Sequence, residues 1–310
     1  MGRCDGKVVV VTGAGRGIGR GEALEFARHG AQVVVNDLGV NLQGGEPNSA
    51  TADAVVDEIV QMGGQAIANA DDVSDEDGAR RLVATAIEVF GRLDVVVNNA
   101  GIVRDRTLAN MSADEWDDVI RVHLRGTFLT MRHAAEHWKA QSKRGIAPDA
   151  RIINTSSNAG LLGNPGQSNY GAAKAGIAAL TIIAAQELYR YGVLVNAIAP
   201  RALSRMTEDN VFANVAVESG KFNPLAAENV APAVVWLTTE AARGITGRVF
   251  VVSGGSVTVA EPWRMGPEVD KGARWEVEEL DTVIPDLLAQ AEPQRFMKPL
   301  VADTSVAAER

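Results

Sequence analysis

Cysteine is almost missing from this chain of 310 residues, and Cys4 stands alone. A lone thiol excludes an intramolecular disulfide and a Cys-rich metal site, and it makes a reducing compartment, the cytoplasm, the expected location. Aromatic residues are scarce as well, at 5% against 46% hydrophobic residues in all. That balance disfavours an aromatic-lined binding module and suits buried aliphatic strands. No stretch approaches the run of about 18 apolar residues that a spanning helix needs, and no leader-like segment opens the chain, so membrane insertion and secretion are not expected. Cation excess is missing too. With a net charge of −9, neither nucleic acid nor an anionic membrane surface is an expected partner.

Glycine, by contrast, is plentiful at 31 residues, and its placement is informative. Val8 to Val11 is a run of β-branched residues that reads as a strand buried on both faces, and it leads into Thr12-Gly13-Ala14-Gly15-Arg16-Gly17-Ile18-Gly19. A helix ending near Gly30 and a strand from Gln32 to Val35 follow. Glycines in such a turn let the backbone approach a pyrophosphate and aim amides at it from the helix N-terminus. Gly13, Arg16, Gly17, Ile18 and Gly19 are therefore candidate dinucleotide contacts. Asp37 follows the second strand, eighteen residues beyond Gly19, where a carboxylate would hydrogen-bond the adenosine ribose and repel a 2′-phosphate. NAD is the expected cofactor, although Arg16 offers a phosphate partner in the other direction.

Strands from Ala66 to Ala68 and from Leu93 to Val97 flank a helix from Asp75 to Phe90. The first ends at Asp71-Asp72-Val73, where an acid can reach an adenine amino group or simply cap the helix. The second ends at Asn98-Asn99-Ala100-Gly101, small and amide residues suited to lining a cofactor floor. Trp116 to Lys139 reads as one long helix. Its His133-Ala134-Ala135-Glu136-His137 matches the H-x-x-E-H pattern of one class of zinc protease, but no third ligand stands nearby, so no metal is expected. Arg151 to Thr155 is a fifth strand, which delivers Ser156 and Ser157 to its carboxyl edge, where ligands bind in open α/β sheets. Tyr170 and Lys174, four apart on a helix from Gln167 to Arg190, share a face, and an ammonium beside a phenol favours the phenolate. Tyr-x-x-x-Lys also arises by chance on many helices, so context decides its meaning. A sixth strand, Val193 to Ile198, ends at Pro200, and Val249 to Val252 is the seventh.

Taken together, T-G-x-x-x-G-x-G at Thr12 to Gly19, N-N-A-G at Asn98 to Gly101, Ser157 and the Tyr170/Lys174 pair resemble the short-chain dehydrogenase/reductase family. The likeness covers about residues 5 to 256. It implies an α/β fold, a single Rossmann-like domain (1–256) with a seven-stranded parallel sheet, helices on both faces, and homodimers or homotetramers. It also implies that Tyr170 is the general acid/base, that Ser157 orients the substrate oxygen, and that Lys174 lowers the tyrosine pKa and holds the nicotinamide ribose. The cofactor contacts so implied are Gly13, Arg16, Gly17, Ile18, Gly19, Asp37, Asp72, Val73, Asn99, Ala100, Gly101, Tyr170, Lys174 and Pro200. Two positions depart from the family pattern: His123 stands where an asparagine usually supports a proton relay, and Pro200-Arg201 replaces Pro-Gly.

A narrower likeness, carried by Val34 to Gly39, Arg104-Asp105-Arg106, Arg121 to Gly126, Gly163 to Gln167 and Ser204 to Thr207, is to the (3R)-hydroxyacyl-CoA dehydrogenase module of multifunctional enzyme type 2. Histidine also occupies the His123 position in that group. Actinobacterial proteins with a similar tail imply a 17β-hydroxysteroid as the other lipid-type substrate. Without hydratase or sterol-carrier parts, a stand-alone dehydrogenase is expected. The alternatives are an NADPH-dependent 3-oxoacyl reductase, which Asp37 disfavours, and a non-catalytic NAD-binding scaffold, which the complete Ser157, Tyr170 and Lys174 set disfavours. Arg104, Arg106, Arg201 and Arg205 are candidates either for a coenzyme A phosphate or for solvated surface positions. Residues 257–310 carry Trp263, Trp275, Phe296 and five of the 11 prolines, so one long helix is excluded. This extension is expected to cover the substrate cleft or a subunit interface.

Overall fold

Alternation along each strand sets the two faces of the sheet. In β1 (Val8–Thr12) every residue is buried. Val9 and Val11 join the core on one side, while Val8 and Val10 join the core on the other, as the two-residue period of a strand covered on both faces requires. The computed structural model describes residues 2–40, 48–202, 221–261 and 263–297. Along the chain follow α1 (Gly17–Arg28), β2 (Gln32–Asn36), α2 (Ala50–Gln61), β3 (Gln65–Asn69), α3 (Glu76–Phe90), β4 (Val95–Asn98) and α4 (Ala113–Ile120). Next come α5 (Gly126–Lys143), β5 (Ala150–Thr155), α6 (Asn158–Leu162), α7 (Ser168–Leu188), β6 (Val193–Arg201), α8 (Ala231–Leu237), β7 (Val249–Ser253) and β8 (Ser256–Ala260). The sheet order is β3-β2-β1-β4-β5-β6-β7-β8, so the order reverses between β1 and β4 and opens a crevice above their carboxyl ends.

Three expectations change. The sheet has eight strands rather than seven, because Gly254-Gly255 turns the chain back and β8 pairs antiparallel with β7, Ser253 opposite Ser256. A two-residue Gly-Gly connection is a hairpin signal, and Gly254 adopts φ 55°. The first compact unit therefore runs to Ala260 and the second from Glu261, four residues beyond the expected boundary. The long helix from Trp116 is also divided. α4 is capped by Ser112, whose hydroxyl and Glu115 form a capping box, and a π-helical turn, Arg121–Arg125, separates it from α5. Such turns insert one residue into the helical ladder and re-aim the side chains they carry. The second unit contains α9 (Leu280–Gln290), with Pro285 inside it.

A buried polar chain crosses the middle of the sheet. Thr130 of α5 donates to Asn98 Oδ1 (2.5 Å), Asn98 Nδ2 donates to Asn154 Oδ1 (2.9 Å), and Asn154 Nδ2 donates to Thr181 of α7 (2.9 Å). Thr181 passes its own hydrogen to Ile177 O. All four side chains are buried, and each finds partners, as low-dielectric surroundings demand.

Candidate active site

The glycine turn after β1 is assembled by its neighbours. Gly13 takes φ 62°, a left-handed conformation that glycine adopts without cost. Asn99 Nδ2 donates to Thr12 O (3.0 Å) and Gly13 O (3.1 Å), while the amides of Asn99 and Ala100 donate to the Thr12 hydroxyl at 2.9 and 3.0 Å. The loops after β1 and β4 are thus one structure. Thr12, which was not among the candidate contacts, ties them together; the motif's leading threonine was the available signal. Asp37 Oδ2 accepts from Gly15 N (2.9 Å) and Oδ1 from Gly39 N (2.9 Å), which seats the carboxylate against the turn.

These residues fit a dinucleotide. The N-terminus of α1 receives no side-chain cap from Arg16 and has no acid in its first turn, so its amides remain suited to a pyrophosphate. A Cβ on Gly19 would lie 2.4 Å from Gly13 O, which explains why the helix starts so close to the turn. Ile18 packs against the core on the α1 side. Arg16 is exposed and reaches the Thr51 hydroxyl at the start of α2. Asp72 lies in a tight loop, with Oδ1 accepting from Ser74 N and Oγ (2.8 and 2.6 Å) and Oδ2 facing Arg121, while Asp75 caps α3. Val73 is buried on the α3/α5 side, and Pro200 lies inside β6 opposite Val252.

Ser157, Tyr170 and Lys174 converge at the carboxyl edge of β5. Ser157 caps α6, and its hydroxyl works against burial by lowering the Tyr170 phenol pKa. Lys174 is buried, its Nζ donates to Thr155 O (2.6 Å), and it stands 5.5 Å from the centroid of the Tyr170 ring. Ser156 Oγ donates to Lys174 O (2.8 Å), locking strand end to helix. The expected depression of the phenol pKa by Lys174 is not what the surroundings produce. Burial raises Tyr170, partly offset by the Ser157 hydrogen bond, and burial lowers Lys174 to about 7. Desolvation disfavours both charged forms, so it outweighs the attraction between them.

His123 is buried in the π-turn and meets Tyr170 edge to face, centroids 5.2 Å apart. Its Nε2 lies 3.0 Å from Ile102 N and 2.7 Å from Ile102 O; the tautomer selects between them. Its Nδ1 is buried with no protein partner. Burial first, then the charge of Lys174, pushes the imidazole well below its usual pKa, so it is a neutral group. Gly101 makes room for it, since a Cβ there would lie 2.1 Å from His123 Cε1. Arg104 and Arg106 lie on the loop beyond, Arg104 Nε 4.0 Å from Asp118 and Arg106 Nε 3.1 Å from Glu115. Arg201 is the last residue of β6 and is exposed, and Arg205 lies outside the described residues. His133 Nδ1 faces Glu136 at 3.3 Å, and no group of three or more His, Cys, Asp or Glu side chains converges at metal-binding spacing among the described residues.

A doubly wound sheet with a glycine turn at its switch point and a serine, tyrosine and lysine at the neighbouring strand edge defines a nicotinamide-dependent oxidoreductase. Residues 7–215 match the sequence profile of the family described as short chain dehydrogenase, and the chain belongs to that family, whose members act on CH–OH donors. Over 297 residues it is 47% identical to hydroxyacyl-CoA dehydrogenase ChsB1 of Mycobacterium tuberculosis, covering 94% of this chain and 91% of that protein. It is also 47% identical over 253 residues to peroxisomal multifunctional enzyme type 2 of Mus musculus, covering 82% of this chain and 32% of that one. The crystal structure of a short chain dehydrogenase from Mycobacterium avium matches with a TM-score of 0.86 at 54% identity, covering 96% of this chain and all of the other. No helix among the described residues is long and apolar enough to cross a membrane.

Proposed function

We propose that this chain is an NAD-dependent dehydrogenase that interconverts the secondary alcohol of a (3R)-hydroxyacyl-CoA and the corresponding ketone. The observation that carries the reading is the convergence of Ser157, Tyr170 and Lys174 beside the glycine turn. The acyl-CoA class is favoured over a 17β-hydroxysteroid by the names of the two relatives, a hydroxyacyl-CoA dehydrogenase and a multifunctional enzyme. The choice of NAD rests on Asp37, whose carboxylate is held against Gly15 and would repel a 2′-phosphate.

When bound, the nicotinamide supplies the hydride acceptor or donor, chemistry that belongs to the cofactor. Gly13, Arg16 to Gly19 and Asp37 would hold its adenosine diphosphate half; Asn99 to Gly101 and Lys174 would hold the other. As the phenolate, Tyr170 Oη takes the hydroxyl proton during oxidation and becomes the neutral phenol, which gives the proton back during reduction. Ser157 Oγ hydrogen-bonds the reacting oxygen and the phenol. Lys174, whose pKa burial lowers to about 7, places positive charge beside the phenol and favours the phenolate when it is charged. His123, neutral and wedged between Gly101 and Tyr170, packs against the phenol ring. We place the enzyme in the cytoplasm as a homodimer or homotetramer, in keeping with the exposed Phe128 of α5 and Ile183 of α7.

Initial rates of reduced-cofactor formation test the reading with a (3R)-hydroxyacyl-CoA and a 17β-hydroxysteroid, each with NAD and with NADP. The acyl-CoA with NAD is expected to give the highest kcat/KM. A preference for NADP would contradict the role given to Asp37, and turnover of the steroid alone would replace the substrate class.

A further inference from the structure

Tyr170 stands in the first turn of α7, where backbone amides lack partners within the helix. The residue before it, Asn169, is fully buried and uses its whole side-chain amide. Its Oδ1 accepts from Tyr170 N (2.7 Å), and its Nδ2 donates to Arg104 O (3.0 Å) and to Glu115 O (2.9 Å). Arg104 belongs to the loop after β4 and Glu115 to α4. Three stretches far apart in sequence thus meet at one side chain.

The surroundings form a seam of the same kind. Arg106 N donates to Gly166 O (2.8 Å), Gln167 Nε2 donates to Asp105 Oδ2 (2.9 Å), and Asn164 Nδ2 donates to Gln167 Oε1 (2.8 Å). The seam stitches residues 104–106 to residues 164–169, the stretch that leads into Tyr170. Within it Asn169 is the buried member that touches the tyrosine's own backbone. Its chemistry is specific, because one acceptor and two donors are required in fixed directions. Aspartate would set an oxygen against two carbonyl oxygens, and alanine would leave two carbonyls and one amide without their partner in a dry setting, where each loss is costly.

We propose that Asn169 is a positioning residue for the reaction. It acts through Tyr170, fixing the first turn of α7 to the loop after β4 and to α4, so that the phenol keeps its place relative to Ser157, His123 and the substrate side of the cleft. The geometry at a proton-transfer centre is sensitive to displacements of about 1 Å, and this side chain is the link that would allow such a displacement when removed.

The proposal rests on Tyr170 being the acid/base, and the test separates the two. Ultraviolet difference titration, wild type minus Tyr170→Phe, follows ionisation of the Tyr170 phenol whether or not the enzyme turns over; the same subtraction is made in an Asn169→Ala background. Steady-state rates, the NAD dissociation constant and Tm are measured beside it. Asn169→Ala is expected to move the Tyr170 titration midpoint and to lower kcat at least tenfold while leaving NAD affinity within about twofold. Asn169→Ser, which keeps one donor and one acceptor, is expected to recover part of both losses. If Asn169→Ala does not fold, Asn169→Ser alone decides, with a shifted midpoint and a reduced kcat expected. A lowered Tm with midpoint and kcat within twofold of wild type would show a merely structural asparagine and overturn the proposal. Undiminished turnover in Tyr170→Phe would instead overturn the catalytic reading, while the titration still reports whether Asn169 sets the phenol's surroundings.

Discussion

The two sides of the crevice are built from different materials. On the β1/α1/β2 side the working surface is backbone: Gly13, Gly15 and Gly19 pack so closely that added Cβ atoms would lie within 3.0 Å of their neighbours. On the β4/β5/α7 side it is buried polar side chains, the Thr130-Asn98-Asn154-Thr181 chain, Lys174, His123 and Asn169. The first kind of site is damaged by adding an atom, the second by removing a hydrogen-bond partner. One residue crosses the division. Glu22 of α1 is fully buried on the glycine side with neither carboxylate oxygen hydrogen-bonded, and burial pushes it to about 8.

Glu22 gives the largest expected effect. Its folded value lies above the ordinary 4.5, so the folded state binds the extra proton, and stability declines as pH rises from about 4.5 and levels off above about 8. Glu22→Gln removes that decline. Relative to the variant, the wild type is expected to lose on the order of 3 kcal/mol by pH 7, with little difference at pH 4.5, as denaturant melts at several pH values would show. Comparing the pair cancels contributions of His123 and Lys174, whose depressed values tilt stability the other way. Equal pH dependence in both proteins would mean that Glu22 is not a buried acid.

Gly19→Ala comes next. Its Cβ would meet Gly13 O at 2.4 Å and Asn99 Nδ2 at 2.5 Å, so the turn must shift. Calorimetry is expected to find NAD binding weakened by about 2 kcal/mol, roughly thirtyfold. Thr181→Val, on the other side, keeps the volume and deletes the hydroxyl between Asn154 and Ile177 O. A stability loss of about 1 to 2 kcal/mol is expected, with Thr181→Ser restoring most of it and NAD affinity unchanged. If Gly19→Ala bound NAD normally, or Thr181→Val weakened NAD as much as Gly19→Ala, the contrast between the two sides would fail.

The same contrast explains which features could be read from the sequence. The glycine turn, Asp37, the seven parallel strands and the Ser157, Tyr170, Lys174 set are local patterns, legible from their spacing alone. The π-turn was hidden, since nothing in Arg121 to Arg125 breaks an amphipathic pattern; the inserted residue shows only in backbone geometry. β8 was missed because Ser256 to Ala260 is short and lies on the sheet edge, although Gly254-Gly255 announced the hairpin. Asn169 and the polar chain depend on partners 27 to 65 residues away, a distance over which spacing carries no information. The phenol pKa went astray for a related reason: Tyr170 and Lys174 are neighbours on a helix, but burial by the rest of the fold decides their charge.

The most direct test of the central claim is the rate of NADH formation by Tyr170→Phe with a (3R)-hydroxyacyl-CoA, set beside NAD binding by the same protein. The account predicts a kcat at least about a hundredfold below wild type with NAD affinity preserved. Turnover equal to wild type would contradict it.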